Sequence, residues 1–476
     1  MLEDARLDYQ DSSKHASNGF LLAMIAFVQQ IGCIAALSWV QVPMKEVKHS
    51  VQEKIVTLLM SYTIACRSSN DINNRLGPEQ LAAASLGIDG FADDSSFSRL
   101  YARIDAGAID DLRTVVQVLH EGHGLARHLD GIVLVDLDGT GLVVKGNHFE
   151  WADEGYFAKQ RGAQGYQLSL AIASNAGKEV LAHLLDPGHV NTGSRFFDLL
   201  YQVGETLGFL NERVFIRADR GYGVGESITH LLDLKVGFLI KGRDSRTAQK
   251  WVEQFGASLL WVPVDETCWV VDIGPQFMPN CPYRVRTILI RTLNEKKQEY
   301  AYSYFVTTLP YAECAEGDVF HFYNQRVTLE KLIERCKNIW AITHLPTHHF
   351  DGLLFYFELR FLAYNLVLWY QHYVLAQDEH LQAMKVFELV TTLGSTAVVT
   401  EQTPPTGWVF YLANAPKLLQ SLLALTHDWL QRVRSLDLVL LRNFSRLHYD
   451  WSQLVYDIWR ASPRPGSFLP VLSGKT

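Results

Sequence analysis

The sequence predicts an α/β protein in which helical regions flank a central mixed sheet on both sides. Three patterns lead to this fold class. Apolar, β-branched runs typical of strands begin at residue 131, and the later ones alternate with amphipathic helical patterns. The chain before about residue 130 and after about residue 350 has mostly helical periodicity. Residues 243–297 are rich in Trp, Val, Thr and Pro and predict a β-rich insertion into the α/β region.

The predicted organisation therefore has three regions, at residues 1–130, 131–350 and 351–476. In the first region, helices are predicted around residues 20–40, 46–66, 78–86 and 95–120. In the last region, helices are expected to continue to a Pro/Gly/Ser-rich tail, SPRPGS.

The predicted sheet begins with GIVLVDLD (131–138), after which Gly139 and Thr140 are expected to turn the chain into a second strand, LVVKG. Further strands are predicted at 166–174, 179–186, 213–219 and 236–242, with helices at about 192–208 and 224–234. Strands within the insertion are predicted at SLLWVPV, CWVVDIG and YRVRTILI, and the sheet is expected to resume at EYAYSYFVTTLP.

Composition narrows the function classes. The formal net charge of -8 gives no global sign of nucleic-acid binding, so any DNA contact would need local basic surfaces. The first 130 residues carry more acidic than basic side chains, which weakens any DNA-binding role for that region. The six cysteines are scattered without CxxC pairs, so neither a disulfide framework nor a zinc ribbon is expected, and reduced thiols in a cytoplasm fit best.

One apolar segment, residues 19–42, is long enough to span a bilayer. However, Gln29 and Gln30 lie at its middle, and the residues before it lack the basic character of a signal peptide. We therefore expect a buried helix in a soluble protein.

The stretch FHFYNQRVTLEKLIERCKNIW carries Tyr323, Arg326, Glu330 and Lys337 at offsets of 0, 3, 7 and 14. On a helix these offsets fall within an arc of roughly 60°. A phenol, a guanidinium, a carboxylate and an ammonium would thus share one stripe. Such a stripe is either a solvated face with ion pairs or a functional site.

Two aspartates favour the second interpretation. Asp138 closes the first predicted strand and Asp219 closes a later one, so a sheet beside the charged helix can bring both close to Glu330. Three carboxylates without Cys or His ligands favour Mg²⁺ or Mn²⁺. Two such ions suit in-line attack at a phosphodiester, and Tyr323, Arg326 and Lys337 would then hold phosphate.

With these residues in place, the chain resembles bacterial insertion-sequence transposases of the DDE superfamily that carry the Y-(2)-R-(3)-E-(6)-K signature. The matching residues are Asp138 in LVDLDGTGL, Asp219 in FIRADRGYG, and Tyr323, Arg326, Glu330 and Lys337. NDINNRL, DDSSFSRLYARI and THLPTHHFDGLLFYFELRFLAYNLVLWY are also similar to family segments.

The resemblance implies a ribonuclease-H-like core with two Mg²⁺ ions bound by Asp138, Asp219 and Glu330. It implies double-stranded DNA as substrate, with cleaved transposon ends joined through their 3′-OH to target DNA. A homodimer would synapse two ends in the bacterial cytoplasm, at the nucleoid. The N-terminal helices would help to recognise end DNA. Some relatives stack an aromatic residue of the insertion on a flipped base, for which the candidates are Trp251, Trp261 and Trp269.

Two other functions stay open. VLVDLDGTGLV also looks like the first motif of haloacid-dehalogenase-type phosphatases, in which Asp136 would be the nucleophile and Asp138 the acid/base. That interpretation leaves the stripe from Tyr323 to Lys337 unexplained. The second is a relative that binds transposon ends without cutting them. Within the transposase interpretation, Glu334 is the alternative third carboxylate.

Overall fold

The computed structural model describes residues 2–433 except 9–15, 46–47, 147, 156, 158–159, 161, 297, 404–406 and 414. Two short strands and seven helices precede the main sheet in this part of the chain. They are β1 (Arg6–Asp8), β2 (Ala16–Asn18), α1 (Gly19–Gln30), α2 (Cys33–Ala36), α3 (Val51–Thr63), α4 (Ser69–Arg75), α5 (Gln80–Ser85), α6 (Asp94–Tyr101) and α7 (Ala106–His123). The single helix predicted at 95–120 is two helices, because Asp105 caps the start of α7 by accepting a hydrogen bond from the Ala108 N–H.

The main sheet and its crossover helices follow. The strands are β3 (Val133–Val143), β4 (Asp153–Glu154), β5 (Gln164–Ala173), β6 (Glu179–Pro187), β7 (Val214–Ala218), β8 (Gly237–Lys241), β9 (Val262–Pro263), β10 (Cys268–Phe277), β11 (Arg284–Asn294) and β12 (Glu299–Thr307). The helices are α8 (Phe196–Leu207), α9 (Gly225–Asp233) and α10 (Ser245–Phe255).

The strand order β6–β5–β3–β7–β8 is that of a ribonuclease-H-like sheet, so the predicted fold class is confirmed. Strand β3 pairs antiparallel with β5 and parallel with β7, and β7 pairs parallel with β8. The sheet then continues through β12, β11, β10 and β9, all in antiparallel pairs.

Strand β3 differs from the prediction, because it runs unbroken from Val133 to Val143. Gly139 and Thr140 do not form a turn; they pair with Ser169 and Leu168 of β5. A Cβ atom on Gly139 would lie 2.8 Å from Cγ2 of Thr192, so the glycine permits a close approach rather than a reversal of the chain. Asp138 therefore lies within a strand and not at its end.

The insertion is less β-rich at its start than predicted. Helix α10 occupies residues 245–255. The sequence SRTAQKWVEQF is mostly polar and has a single apolar face, so it forms an amphipathic helix. Of the predicted strand SLLWVPV, only Val262 and Pro263 pair with a neighbour. The two other predicted strands correspond to β10 and β11, which extend the main sheet through β12.

After the sheet come the helices α11 (Glu316–Asn324), α12 (Val327–Asn338), α13 (Phe350–Tyr373), α14 (Glu379–Ala383) and α15 (Val386–Leu393), then strands β13 (Ala397–Thr403) and β14 (Gly407–Tyr411). Residues 417–433 are helical again. The prediction of helices throughout this region was wrong for β13 and β14, which join β1 and β2 in a second sheet of order β1–β14–β13–β2. The predicted frayed tail lies outside the described residues.

Helix α13 lies at the centre of the helical core, where it contacts elements from both ends of the chain. Phe20 and Phe27 of α1 pack edge-on against Tyr370, with ring centroids 6.2 and 5.4 Å apart. Arg360 is buried, and its guanidinium lies 3.8 Å from the ring centroid of Tyr62 in α3. The regions before and after the sheet thus share one hydrophobic core.

Two apolar segments have the length and composition of a membrane span. One is α13, and the other is residues 19–39, which bend by 68° at the break after α1. Residues 19–28 and most of α13 are buried inside the protein. The expected buried helix at residues 19–42 is therefore found only in its first part, because the helix ends at Gln30 and several residues from 29 to 39 are exposed or partly exposed. Burial also accounts for the apolar character of α13.

Glu179, which is fully buried at the start of β6, links the sheet to the helices on either side of it. Its carboxylate accepts hydrogen bonds from the backbone N–H groups of Leu125 and Ala126 at 3.2 and 2.8 Å. The indole N–H of Trp369 in α13 donates to it at 2.6 Å. Hydrogen bonds to a buried charge are among the stronger ones in proteins.

Trp369→Phe is therefore expected to lower the free energy of unfolding by about 1.5–3 kcal/mol beyond the effect of the smaller ring. The matched control is Trp340→Phe, because Trp340 is fully buried and its Nε1 has no hydrogen-bond partner among the described residues. Thermal and urea denaturation would compare the two. Equal losses would show that the bond to Glu179 contributes nothing.

Candidate active site

One face of β3 carries the polar side chains of the site. Asp136, Asp138 and Thr140 alternate along this strand and so point to the same side of the sheet. Helices α11 and α12 cover that side, and each of the three side chains contacts a residue from an element packed there or from the neighbouring strand.

Asp136 is fully buried and paired with Arg217, its register partner on β7. The guanidinium donates two parallel hydrogen bonds, Nε to Oδ1 at 2.7 Å and Nη2 to Oδ2 at 2.8 Å. The Ser174 hydroxyl also donates to Oδ2, and Arg217 Nη1 donates to the carbonyl of Phe322 in α11 at 2.6 Å. Both oxygens of Asp136 are thus engaged in holding β3, β7 and α11 together.

Asp138 and Asp219 lie side by side at the end of the β3–β7 pairing. Leu137 and Ala218 are register partners in these parallel strands, and each aspartate is the next residue of its strand. Neighbouring strands lie about 4.8 Å apart. The Tyr323 hydroxyl, at the end of α11, donates to Asp219 Oδ1 at 3.3 Å.

Arg326 lies between the carboxylates. Its Nη1 is 3.2 Å from Asp138 Oδ2, and its Nη2 is 3.2 Å from Glu330 Oε1. Nη1 also donates to the carbonyl of Leu137 at 3.4 Å. The guanidinium is buried, and its Nε has no hydrogen-bond partner among the described residues. Glu330, by contrast, has 54% of its side chain exposed.

The electrostatics of this group follow from burial and like charge. Burial raises the pKa of Asp138; Arg326 opposes this effect, while Glu330 and Asp219 add to it. Burial opposes the charge on Arg326, but Tyr323 and the three carboxylates outweigh it and raise the pKa of the guanidinium. Burial also raises the pKa of Tyr323, so its hydroxyl keeps the proton that it donates.

The segment that carries the signature is not one helix. Helices α11 and α12 meet at Gln325 and Arg326, where the N–H groups of Thr328 and Leu329 bond three residues back to the carbonyls of Gln325 and Arg326. Tyr323 and Arg326 are buried beneath this junction and face the sheet, whereas Glu330 stays exposed. A fully solvated face of ion pairs therefore does not describe the stripe.

Lys337, on α12, reaches the distal part of β3. Its ammonium donates to Thr140 Oγ1 at 2.5 Å and to the carbonyl of Gly141 at 3.3 Å. Burial lowers the pKa of this lysine. It thus contacts the strand two residues beyond Asp138.

The donor set suits a hard divalent cation, since it consists of three carboxylates without sulfur or imidazole. The arrangement is not a preformed metal site: in the described part of the chain, no three His, Cys, Asp or Glu side chains converge closely enough to hold an ion. The guanidinium of Arg326 bridges two of the three carboxylates. The residues fit a metal ion by the chemistry of their oxygen ligands, and the charges of Glu330 and Asp219 contribute to the raised pKa of Asp138.

Comparison with known proteins identifies the family. The family described as "Transposase DDE domain group 1" matches residues 10–434. The chain belongs to this family of DDE transposases. It is a DNA transposase, and the resemblance in the sequence to DDE transposases is confirmed; enzymes of this class use divalent metal ions.

Comparisons with curated proteins and with solved structures do not extend this family assignment. No curated protein matches the transposase. A solved structure similar to it is the cryo-EM structure of a piggyBac transposase synaptic complex with hairpin DNA. The sequence identity is 15%, the match covers 81% of this chain and 83% of that chain, and the TM-score is 0.42. The family assignment rests on the match over residues 10–434.

The phosphatase interpretation fails at Asp136. A nucleophilic carboxylate needs a free oxygen, whereas both oxygens of Asp136 are bound in a buried ion pair. Arg217, the partner of Asp136, was not predicted to belong to the site. An arginine within the apolar run VFIRA was the available signal, because a buried guanidinium almost always has a partner.

The three tryptophans of the insertion have different surroundings. Trp251 is buried and packs edge-on against Tyr304, with ring centroids 5.0 Å apart. Trp261 and Trp269 are partly exposed, and their rings flank the guanidinium of Arg291 at 4.7 and 4.9 Å. Of the three, only Trp261 and Trp269 therefore keep an accessible ring.

Asp136→Asn is expected to lower the free energy of unfolding by about 3–5 kcal/mol, because it leaves the buried charge of Arg217 unpaired. Asp198→Asn is the control, since it breaks an exposed ion pair with Arg195 and should cost less than about 1 kcal/mol. The double variant Asp136→Leu/Arg217→Met should regain most of the lost stability. Urea denaturation measures all three, and an Asp136→Asn protein as stable as the parent would contradict the role of the pair.

Asp138→Asn is expected to stabilise the metal-free transposase at neutral pH. The raised pKa of Asp138 means that folding disfavours its ionised form. Its contribution is therefore most favourable below the pKa of an unfolded Asp and declines as pH rises through the higher folded pKa. The melting temperature of the variant should exceed that of the parent at pH 7.5, with the gap closing towards pH 4. The control is Glu253→Gln, an exposed carboxylate on α10, and a gap independent of pH would refute the explanation.

Proposed function

We propose that the transposase cleaves transposon ends and joins the freed 3′-OH groups to target DNA at the site formed by Asp138, Asp219 and Glu330. The observation that supports this most directly is the adjacency of Asp138 and Asp219 where the parallel pairing of β3 and β7 ends, beside the helix that carries Glu330. Carboxylates gathered from two strands and a helix suit metal-dependent phosphodiester chemistry.

The three carboxylates would hold two Mg²⁺ ions, for which Mn²⁺ can substitute. When bound, such ions activate the attacking oxygen and stabilise the leaving oxygen of an in-line displacement. Glu330 is the exposed member of the three, with 54% of its side chain accessible and one ion pair, to Arg326, among the described residues. Asp138 is fixed by its own strand and accepts a hydrogen bond from the Gly139 N–H at 2.8 Å.

Tyr323, Arg326 and Lys337 are the proposed phosphate ligands, and Arg326 and Lys337 have N–H groups that are not used in the described structure. Arg326 has a buried Nε without a partner among the described residues. The ammonium of Lys337 has three N–H donors, of which two are used on β3. The Tyr323 hydroxyl, held in its neutral form, orients Asp219. Tyr323 and Arg326 thus contact the carboxylates directly, whereas Lys337 contacts β3 two residues beyond Asp138.

The larger assembly is part of the same proposal. Double-stranded DNA would supply both the transposon ends and the target. A homodimer would hold two ends together, with residues 1–130 contributing to end recognition and residues 351–476 to dimerisation. The reaction would take place at the nucleoid in the bacterial cytoplasm.

Glu330→Gln is expected to lower the rate of Mg²⁺-dependent cleavage by about 10²-fold or more, because it removes a charge that holds the ions. Lys337→Ala should weaken DNA handling but leave metal binding intact. The matched control is Glu334→Gln, one turn further along α12 and exposed, which should cut normally. The substrate is a duplex that carries the inverted repeats flanking the gene.

The outcome that contradicts the assignment is normal cleavage by Glu330→Gln together with loss of cleavage in Glu334→Gln. A parent protein that forms complexes with end DNA in Mg²⁺ but never yields a cleaved strand would instead show a binding protein without activity. Isothermal titration with Mn²⁺ separates loss of metal from loss of DNA binding.

A further inference from the structure

A cavity of about 400 Å³ beside α12 is lined by four cationic side chains and by no Asp or Glu. The cations are Lys178, Lys331, Arg335 and Lys385. We refer to the cavity that they line as the basic cavity. The chain as a whole has a formal net charge of -8, so this concentration of positive charge runs against its composition.

Three separate elements build the basic cavity. Lys331 and Arg335 are four residues apart on α12 and therefore lie on the same side of that helix. Lys385 precedes α15. Lys178 lies in the tight turn between β5 and β6, where it and Gly177 have φ angles of +67° and +66°.

Close packing holds that turn in place. A Cβ atom on Gly177 would lie 2.7 Å from Cδ1 of Leu368 in α13, so the turn is seated against the core. The same turn region contains Ser174, which lines the cavity and bonds to Asp136 beneath the active site. The basic cavity is thus joined to the catalytic strand through one side chain.

None of the four cations forms an ion pair or a side-chain hydrogen bond with any residue that the structure describes. Burial lowers the pKa of Lys178, and the charges of Lys385, Arg335 and Lys331 lower it further. Four unpaired cations around one cavity repel one another, and a bound anion would relieve this repulsion. The cavity walls also offer the neutral hydroxyls of Ser174 and Thr328.

We propose that the basic cavity binds backbone phosphates of duplex DNA. This inference rests on the proposed function, because it takes DNA to be the polyanion that reaches α12, the helix carrying Glu330. Cations that bind phosphate without reading bases position a duplex and make its affinity dependent on salt. The surface therefore guides DNA along α12 towards the carboxylates and supplies local positive charge to an acidic protein.

The test is the salt dependence of duplex binding by the full chain in EDTA, where no cleavage can occur. The variant is Lys331→Gln/Lys385→Gln, which changes two exposed side chains. The slope of log K against log salt is negative, and each lost phosphate contact reduces its magnitude by about 0.9. The double variant should therefore have a slope smaller in magnitude by roughly 1.8 and should bind about 10-fold or more weakly at 0.1 M salt. Lys250→Gln, an exposed lysine on α10, is the matched control and should keep the slope.

An unchanged slope in the double variant overturns the inference, as does an equal loss in Lys250→Gln. A free phosphate ion is the other possible source of the same chemistry. Should inorganic phosphate raise the melting temperature of the parent but not of the double variant, while their DNA slopes stay equal, DNA is the wrong ligand. The proposed function fails separately: a parent that never cleaves end DNA in Mg²⁺ can still lose slope in the double variant.

Discussion

The buried ion pair between Asp136 and Arg217 is the constraint on which the site depends. It joins β3 to β7 by two parallel hydrogen bonds, and a third bond from Arg217 holds the carbonyl of Phe322 in α11. Because Asp138 and Asp219 are two residues beyond this pair on the same two strands, the pair sets their separation. The same ion pair also positions the signature residues above the sheet, because Phe322, whose carbonyl Arg217 binds, directly precedes Tyr323. A buried pair of this kind contributes geometry more than stability, since hydrophobic side chains of the same volume would pack at least as well.

Around Asp138 and Asp219, the charges of the site are only partly balanced. Asp138 and Glu330 both contact the guanidinium of Arg326. Burial raises the pKa of Asp138, and the negative charges of Glu330 and Asp219 add to this effect. Arg326 balances only part of that charge, because it bonds to Asp138 and Glu330 but not to Asp219, which receives a neutral hydroxyl instead. Such residual strain is typical of sites that bind cations or run chemistry, where stability is given up for function. The basic cavity, which α12 also lines, has an excess of positive charge, because it contains four cations and no Asp or Glu.

The residues that could be predicted from sequence were those whose pattern is local. Asp219 directly follows the run VFIRA. The spacing of Tyr323, Arg326, Glu330 and Lys337 is visible within one segment. The unbroken β3 could not be predicted, because a glycine that admits Thr192 looks the same as a glycine that turns the chain. The basic cavity could not be predicted either, because its cations lie far apart in the sequence, from Lys178 to Lys385. Strands β13 and β14 pair with each other, but their outer neighbours β2 and β1 lie near the N-terminus, so the complete second sheet depends on distant partners.

The shared helical core has a consequence for synthesis. Helices α1 and α3 are complete by residue 63, but α13, which covers their apolar faces, begins only at Phe350. At about 5–20 residues per second, roughly 15–60 s pass between their emergence from a ribosome and the arrival of that partner. Until then Phe20, Phe27 and Tyr62 lack the rings against which they pack. A chain that ends before residue 350 would leave these apolar faces without the helix that covers them, and exposed apolar surface of this kind favours aggregation.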